Sequence, residues 1–325
     1  MNVLVTGVTG RIGANVAARL VAQGHSVRGL VWPRDPRIAK LQGVELELME
    51  GSLIDVDDTV RAADGMDVVY HLGAAFQGGG PFSERDYFEI NVTGTLNMLE
   101  AARAQKGLQH FVYAGTDAVY SKYMAGGVAD PIREDVTPVA PTGWYALSKY
   151  LGEQLCSGYW RTYKIPTTTL RFSYVVGPGE ILDFGQFYLS KLKSNPDLAP
   201  LWQGEERLVL LRDANGKPYR KHVADVQDIV HGCLCVLGRA EAAGEVMQLG
   251  GPGAFTWDVA VPHLSERTGI PYIEASPKST PTSYEFDLSK ARRLIGFDPQ
   301  CDIVRMIDDA IAFREGKDIG VLPVA

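Results

Sequence analysis

Tyr145 and Lys149 stand four residues apart in Tyr145-Ala146-Leu147-Ser148-Lys149, at the opening of a helical stretch. That spacing sets both side chains on one helix face, a turn apart. A free tyrosine has a pKa of about 10 and is a poor base at neutral pH, whereas an ammonium beside it favours the phenolate. Such a phenol can remove a hydroxyl proton while hydride leaves the same carbon, or return it in reverse. Thr116, in Ala114-Gly115-Thr116-Asp117-Ala118-Val119-Tyr120, follows an apolar strand and is placed to hydrogen-bond a substrate oxygen and orient Tyr145.

The hydride needs an acceptor, and a second constellation provides for one. Gly7, Gly10 and Gly13 recur every third residue in Val5-Thr6-Gly7-Val8-Thr9-Gly10-Arg11-Ile12-Gly13, between the first strand and the first helix. The first glycine allows a tight turn, the second lets the backbone approach a pyrophosphate, and the third lets helix pack close to strand. The helix N-terminus adds amide donors. The second strand runs out through Leu30-Val31-Trp32-Pro33-Arg34. Val31 stands where an NAD enzyme often carries an acid for the ribose hydroxyls. Arg34 is set either to meet the extra phosphate of NADP or to remain a solvated loop charge, so the reading is NAD with NADP as the alternative.

These groups must be held by a frame, and the chain alternates strand-like and helical stretches through its first half. Strands are expected at Asn2 to Thr6, Ser26 to Val31, Val44 to Leu48, Asp67 to His71, His110 to Ala114 and Thr167 to Phe172. Helices are expected at Arg11 to Ala22, Tyr87 to Ala104 and Trp144 to Tyr163. This rhythm predicts an α/β fold, a Rossmann-type doubly wound parallel sheet whose ligand lies beyond the carboxyl ends of the strands. After Gly177-Pro178-Gly179 the rhythm breaks into shorter pieces rich in Pro and Gly, which reads as a smaller, interleaved α+β substrate domain. The expected division is a dinucleotide-binding domain over 1–172, to which 225–250 returns, and a cap over 173–325. The segment Asp225 to Leu237 is apolar enough to be the returning helix.

Bulk composition narrows the partners. With 46% hydrophobic and 22% charged residues, the 325-residue chain has the balance of a soluble globular protein with a substantial core. A formal charge of −7 argues against nucleic acid or an anionic membrane as the main partner. No stretch has the length of a transmembrane helix, and Met1-Asn2-Val3-Leu4-Val5 leads straight into a strand without a secretory leader pattern. Cys156, Cys233, Cys235 and Cys301 have neither zinc-finger nor CxxC spacing, so no metal site is expected and reduced thiols in a cytoplasmic protein are.

Taken together these motifs make the chain resemble the extended short-chain dehydrogenase/reductases, the NAD-dependent epimerase/dehydratase type. The resemblance runs nearly full length. It includes the glycine loop, His71-Leu72-Gly73-Ala74-Ala75, Asn91-Val92-Thr93-Gly94-Thr95, Thr116, the Tyr145/Lys149 pair, Leu170-Arg171-Phe172 with Gly177-Pro178, and Asp287-Leu288-Ser289-Lys290-Ala291 with Leu294-Ile295-Gly296-Phe297. It implies catalysis by Tyr145, Lys149 and Thr116, and a cofactor held by Gly7, Thr9, Gly10, Arg11, Ile12, Gly13, Arg34, Ser52, Leu53, Leu72, Gly73, Ala74, Asn91, Tyr145 and Lys149. Substrate contacts are expected from Thr116, Asp117, Tyr174 and Arg220. It also implies a homodimer built on the Tyr87 to Ala104 and Tyr145/Lys149 helices, although Leu147, Leu151, Leu155 and Tyr159 form a stripe that fits the protein's own core equally well.

Departures from the family pattern sort the possible reactions. Ala118 follows Asp117 where dehydratases carry a Glu, which disfavours elimination of water. Tyr174 stands where members acting on sugar nucleotides commonly have an Asn, and Ser52 replaces the acid that often contacts adenine. The leading expectation is an NAD(P)-dependent epimerase of a sugar or sugar nucleotide that oxidises a hydroxyl carbon transiently. The alternatives are a dehydrogenase or reductase of a hydroxy or keto compound and, less favoured because Thr116, Tyr145 and Lys149 are all present, a non-catalytic cofactor-binding protein.

Overall fold

A computed structural model describes residues 1–76, 82–124 and 127–324. The first half lays down β1 (Asn2–Thr6), α1 (Arg11–Ala22), β2 (Ser26–Val31), β3 (Glu47–Glu50), α2 (Val56–Ala63), β4 (Val68–His71), α3 (Glu84–Phe88), α4 (Gly94–Arg103), β5 (His110–Thr116), α5 (Gly143–Tyr163) and β6 (Thr167–Phe172). The second half adds β7 (Tyr174–Val176), β8 (Leu208–Leu211), β9 (Arg220–Lys221), β10 (Val223–Asp225), α6 (Val226–Cys235) and β11 (Val246–Leu249). It ends with β12 (Phe255–Thr256), α7 (Trp257–Thr268), β13 (Tyr272–Ala275), α8 (Ser289–Ile295) and α9 (Ile303–Arg314).

Seven strands form one parallel sheet in the order β11-β6-β5-β4-β1-β2-β3. The chain winds outward from β1 to β3, then returns to place β4 on the other side of β1. The direction of winding therefore reverses between β1 and β4, where open α/β sheets bind their ligands. Alternation along each strand explains why both faces are covered. Val3, Val5, Val68, Tyr70 and Val112 point into a core shared with α1, α6 and α8. Leu4, Val69, Phe111 and Tyr113 point the other way, into a core shared with α2, α4 and α5.

A third cluster gathers Val176, Phe184, Phe187, Leu208 to Leu211, Trp257, Leu264 and Ile307 under the later elements. Around the fully buried Trp257, the rings of Phe187 and Tyr219 lie 5.5 and 5.9 Å away at steep angles, while Phe255 stacks at 5.1 Å. Each such ring buried is worth about 1.5–3 kcal/mol. Two short pairings lie outside the main sheet: β10 runs parallel to β7, and β9 runs antiparallel to β12. From β10 the chain enters α6, whose Ile229, Val230 and Cys233 join the first core, and then adds β11 to the sheet edge.

Two elements depart most from the periodicity, while β5 runs two residues past Ala114, to Thr116. The third strand covers Glu47–Glu50 rather than Val44 to Leu48, because Val44 and Leu46 close tight turns with their amides on Leu41 O and Val44 O. Its register, Arg28 to Glu47 through Val31 to Glu50, carries the following Gly51-Ser52 to the carboxyl edge. The helix expected from Tyr87 to Ala104 starts at Glu84 and contains a widened π turn at Glu89–Thr93 between α3 and α4. That turn carries Asn91, which accepts from Ala75 N at 2.7 Å and donates to Ala75 O and Ser148 Oγ at 3.0 Å each.

One buried charge pair ties α5 to the sheet. Glu153 of α5 accepts from Arg171 Nε at 2.9 Å and Nη2 at 2.5 Å, and Tyr120 also bonds the guanidinium. Both side chains are essentially sealed from water. Removing one partner of such a pair leaves the other buried and unpaired. Arg171→Met should therefore lower the unfolding free energy by about 3–5 kcal/mol in a urea titration. Adding Glu153→Gln should restore much of that loss, and two additive losses would contradict the pairing.

Candidate active site

The loop after β1 is as tight as its glycines demand. Gly7 has φ +67°, and a Cβ there would lie 2.7 Å from both N and Cα of Gly73, while one on Gly13 would lie 2.2 Å from the Gly7 carbonyl oxygen. Gly10 begins α1 with no side-chain cap, so the first-turn amides face outward as donors for an anion. Beside the turn, Thr6 Oγ1 accepts from Gly73 N at 3.0 Å and meets His71 Nδ1 at 2.9 Å, and His71 Nε2 meets Thr95 Oγ1 at 3.0 Å. Burial pushes His71 down to about 3, so it is a neutral spacer between two hydroxyls.

Beyond β2 lies an acid that motif spacing passed over. Asp35, four residues past Val31, is buried and accepts from Thr9 Oγ1 at 2.6 Å and from Arg37 Nε and Nη2 at 2.9 and 2.7 Å. The Arg37 guanidinium, with the Thr9 hydroxyl, holds its carboxyl well below the ordinary range. Its sequence signal was an Asp-Pro pair opening a short helix, which Asp35 caps at Arg37 N. Arg34 sits at φ +61° with its side chain in solvent. Arg11 turns to Glu180 Oε2 at 2.6 Å and Val175 O at 2.8 Å, and Ile12 packs against the core. Ser52 N donates to Asp58 Oδ2 at 2.8 Å, and Leu53 is buried under Gly94. Leu72, Gly73 and Ala74 follow β4 along the same edge.

Across the edge, α5 presents the pair. The Tyr145 ring is framed edge-on by Phe76 at 5.7 Å and Tyr87 at 6.2 Å. Burial raises its phenol to about 12, and the Thr116 hydroxyl works against that rise by hydrogen bonding. Lys149 is buried a turn further on, its Nζ 4.2 Å from the centroid of the Tyr113 ring. Burial lowers it to about 7. Thr116 ends β5 and accepts from Ala118 N at 3.2 Å, so the strand end itself sets the hydroxyl toward Tyr145.

Further from the loop the fold assembles a charged cluster. Asp117, buried, pairs with buried Lys122 at 2.5 Å. Tyr174 is half-exposed, its ring 6.0 Å from Phe184. Arg220 points away to Glu285, at 3.1 Å, and it is its neighbour Lys221 that is buried, with Nζ 4.9 and 4.8 Å from the ring centroids of Tyr174 and Phe184. The β9–β12 pairing explains the difference of one position: alternate residues of a strand face opposite ways, so a one-residue step exchanges the buried and the surface cation. An open cleft of about 870 Å³ between Asn2, Gly24, Ser26, Arg28 and Asp64 lies at the amino ends of the strands, away from all of these groups.

Glycine cradle, uncapped helix terminus and Tyr145/Lys149/Thr116 thus share the carboxyl edge, and the model of the NAD dependent epimerase/dehydratase family matches residues 3–250. The chain belongs to that family. Among solved structures, a short-chain dehydrogenase/reductase superfamily protein from Agrobacterium tumefaciens with bound NAD is similar, with 32% identity, 97% of this chain and 98% of that one covered, and a TM-score of 0.84. An uncharacterized UDP-glucose epimerase of Bacillus subtilis (strain 168) is 28% identical over 96% of this chain and 98% of its own length. UDP-glucuronate 4-epimerase 1 of Arabidopsis thaliana is 25% identical over 93% of this chain and 74% of its own. UDP-glucuronic acid 4-epimerase from Bacillus cereus, at 22% identity and a TM-score of 0.75, shares the fold.

As a member of this NAD-dependent family the chain is an enzyme, and its residues fit the cofactor. The uncapped first turn of α1, whose free amides open at the glycine turn, suits a pyrophosphate.

Lys149 carries a checkable consequence in the cofactor-free protein. Its pKa is about 7 when folded against about 10.4 when unfolded, so between those values the unfolded chain binds more protons. Stability should rise with pH across that window. Lys221, lowered to about 8, adds to the rise. Urea midpoints at about pH 7 and about pH 9 should differ less in Lys149→Met than in wild type. An unchanged difference would put the Lys149 ammonium in water.

Proposed function

We propose that this protein is an epimerase of a sugar or sugar nucleotide that oxidises one hydroxyl carbon transiently and returns the hydride to the opposite face. The single observation that carries the reading is the placement of Tyr145 against Thr116, beside buried Lys149, at the carboxyl edge that also holds the glycine cradle. Bound NAD supplies the hydride acceptor and donor and brings a positive ring. Within the protein, burial keeps the Tyr145 phenol protonated, so the base is made only when positive charge arrives next to it. Tyr145 Oη then removes the hydroxyl proton and gives it back after the keto intermediate has turned. Thr116 Oγ1 holds Tyr145 and the substrate oxygen in line, and the Lys149 ammonium a turn along α5 favours the phenolate. The names carried by relatives in Bacillus subtilis and Arabidopsis thaliana support the substrate class.

The same reading includes assembly and setting. Phe88, Leu96 and Leu147 are exposed apolar side chains on the α3–α4 and α5 helices, fitting a homodimer built on those helices, whereas Leu155 and Tyr159 turn inward to the core. All four cysteines are free, which fits a reducing, cytoplasmic setting, and among the described residues no helix is long and apolar enough to cross a membrane.

Purified protein should release near-stoichiometric NAD on denaturation, read by mass spectrometry, and should interconvert sugar epimers without net NADH. Tyr145→Phe should keep the NAD and slow interconversion by about 10²–10⁴-fold. Steady accumulation of NADH with a free substrate would instead identify a dehydrogenase.

A further inference from the structure

Lys221 is a lysine almost sealed from water, yet among the described residues it has no carboxylate partner. Its polar contact is Gln186 Oε1 at a long 3.4 Å, and the rings of Tyr174 and Phe184 enclose the stem and head. Lys122, equally buried, lies over the Tyr284 ring at 5.1 Å and pairs with Asp117. The three charges sense one another: Asp117 attracts Lys221 and Lys122 repels it. Two ammonium groups thus share a single carboxylate in an aromatic enclosure. Buried charges are normally matched, so the enclosure is short of one negative charge.

The deficit lies close to the chemistry. Asp117 directly follows Thr116 and acts electrostatically on Tyr145 as well as on Lys221. We propose that Lys221, with Lys122 beside it, is the subsite for a carboxylate of the substrate, so that the sugar turned over here is an acidic one. The proposal rests on the sugar-epimerase reading and names its substrate class.

A carboxylate fits better than a diphosphate. Phosphates are matched by guanidinium forks, and Arg220, next along the chain, and Arg11, bonded to Val175 O beside Tyr174, are already committed to Glu285 at 3.1 Å and Glu180 at 2.6 Å. One uncompensated point charge flanked by aromatic rings suits a single charge. Tyr174, standing where family members acting on sugar nucleotides commonly have an Asn, is itself one of those rings.

Calorimetry on the NAD-loaded protein with D-glucuronate, D-glucose, UDP-glucuronate and UDP-glucose separates the carboxylate from the diphosphate. Each carboxylate-bearing probe should bind roughly tenfold or more tighter than its neutral counterpart, the gain of one charge-assisted hydrogen bond. Lys221→Met should erase that difference while leaving the neutral probes unaffected and the urea midpoint no lower, since it removes a buried charge, and Lys221→Arg should keep part of it. Equal binding within each pair, or no binding of either uronate, overturns the proposal. Equal weakening of both UDP-sugars in Lys221→Met also overturns it, making Lys221 a phosphate contact. Isomer interconversion is followed separately. Uronates that bind without interconverting would overturn the reaction and keep the subsite, and neutral sugars that interconvert as well as acidic ones would do the reverse.

Discussion

The backbone of Gly7 lies so close to Gly13 on one side and to Gly73 on the other that no side chain fits between them. Three segments meet at that point: the end of β1, the first turn of α1 and the chain leaving β4. Their contact sets how close the first helix comes to the sheet and where the amide donors at its start point. It also brings the β4 end, with His71 bridging Thr6 and Thr95, level with the glycine turn. From there Asn91 links Ala75 to Ser148 of α5, one residue from Lys149. The glycine turn and α5, the helix of Tyr145 and Lys149, are therefore joined by a short run of buried hydrogen bonds, in which a shift at either end would be felt at the other.

Burial of charge is the second organising feature. Arg171 and Glu153 neutralise each other completely between α5 and the sheet, and their role is to hold one element against another. Lys149 and Lys221 are treated differently: each is desolvated against aromatic rings and lacks a carboxylate partner among the described residues. Such lysines cost stability in the empty protein, and the cost falls when a ligand supplies the matching group. The fold places one beside the glycine cradle and the other beside the cluster that begins at Thr116.

Much of the frame was legible because it depends on local pattern. Two-residue alternation along β1 and β4, the three-residue spacing of the glycines and the four-residue spacing of Tyr145 and Lys149 are properties of neighbouring residues, and they carry the α/β class and the family. The family model over residues 3–250 agrees with that frame. Boundaries were read less well where tertiary contacts rule. The register with β2 moves the third strand to Glu47–Glu50, and the bond from Asn91 to Ala75 accompanies a π turn that no periodicity announces.

By itself, then, the sequence determined the Rossmann-type sheet and the family, since each follows from residue types at fixed short spacing, and it singled out the glycine turn and the Tyr145/Lys149 pair on which the proposed function rests. Tertiary structure alone decided which charges are buried and with whom. Asp35 is buried because the chain folds back to put it on Thr9, with Arg37 closing the pair. Lys221 rather than Arg220 faces the Tyr174 ring because the β9–β12 pairing turns one side chain in and the other toward Glu285. Burial and pairing depend on residues distant along the chain, and spacing along a sequence carries no record of them.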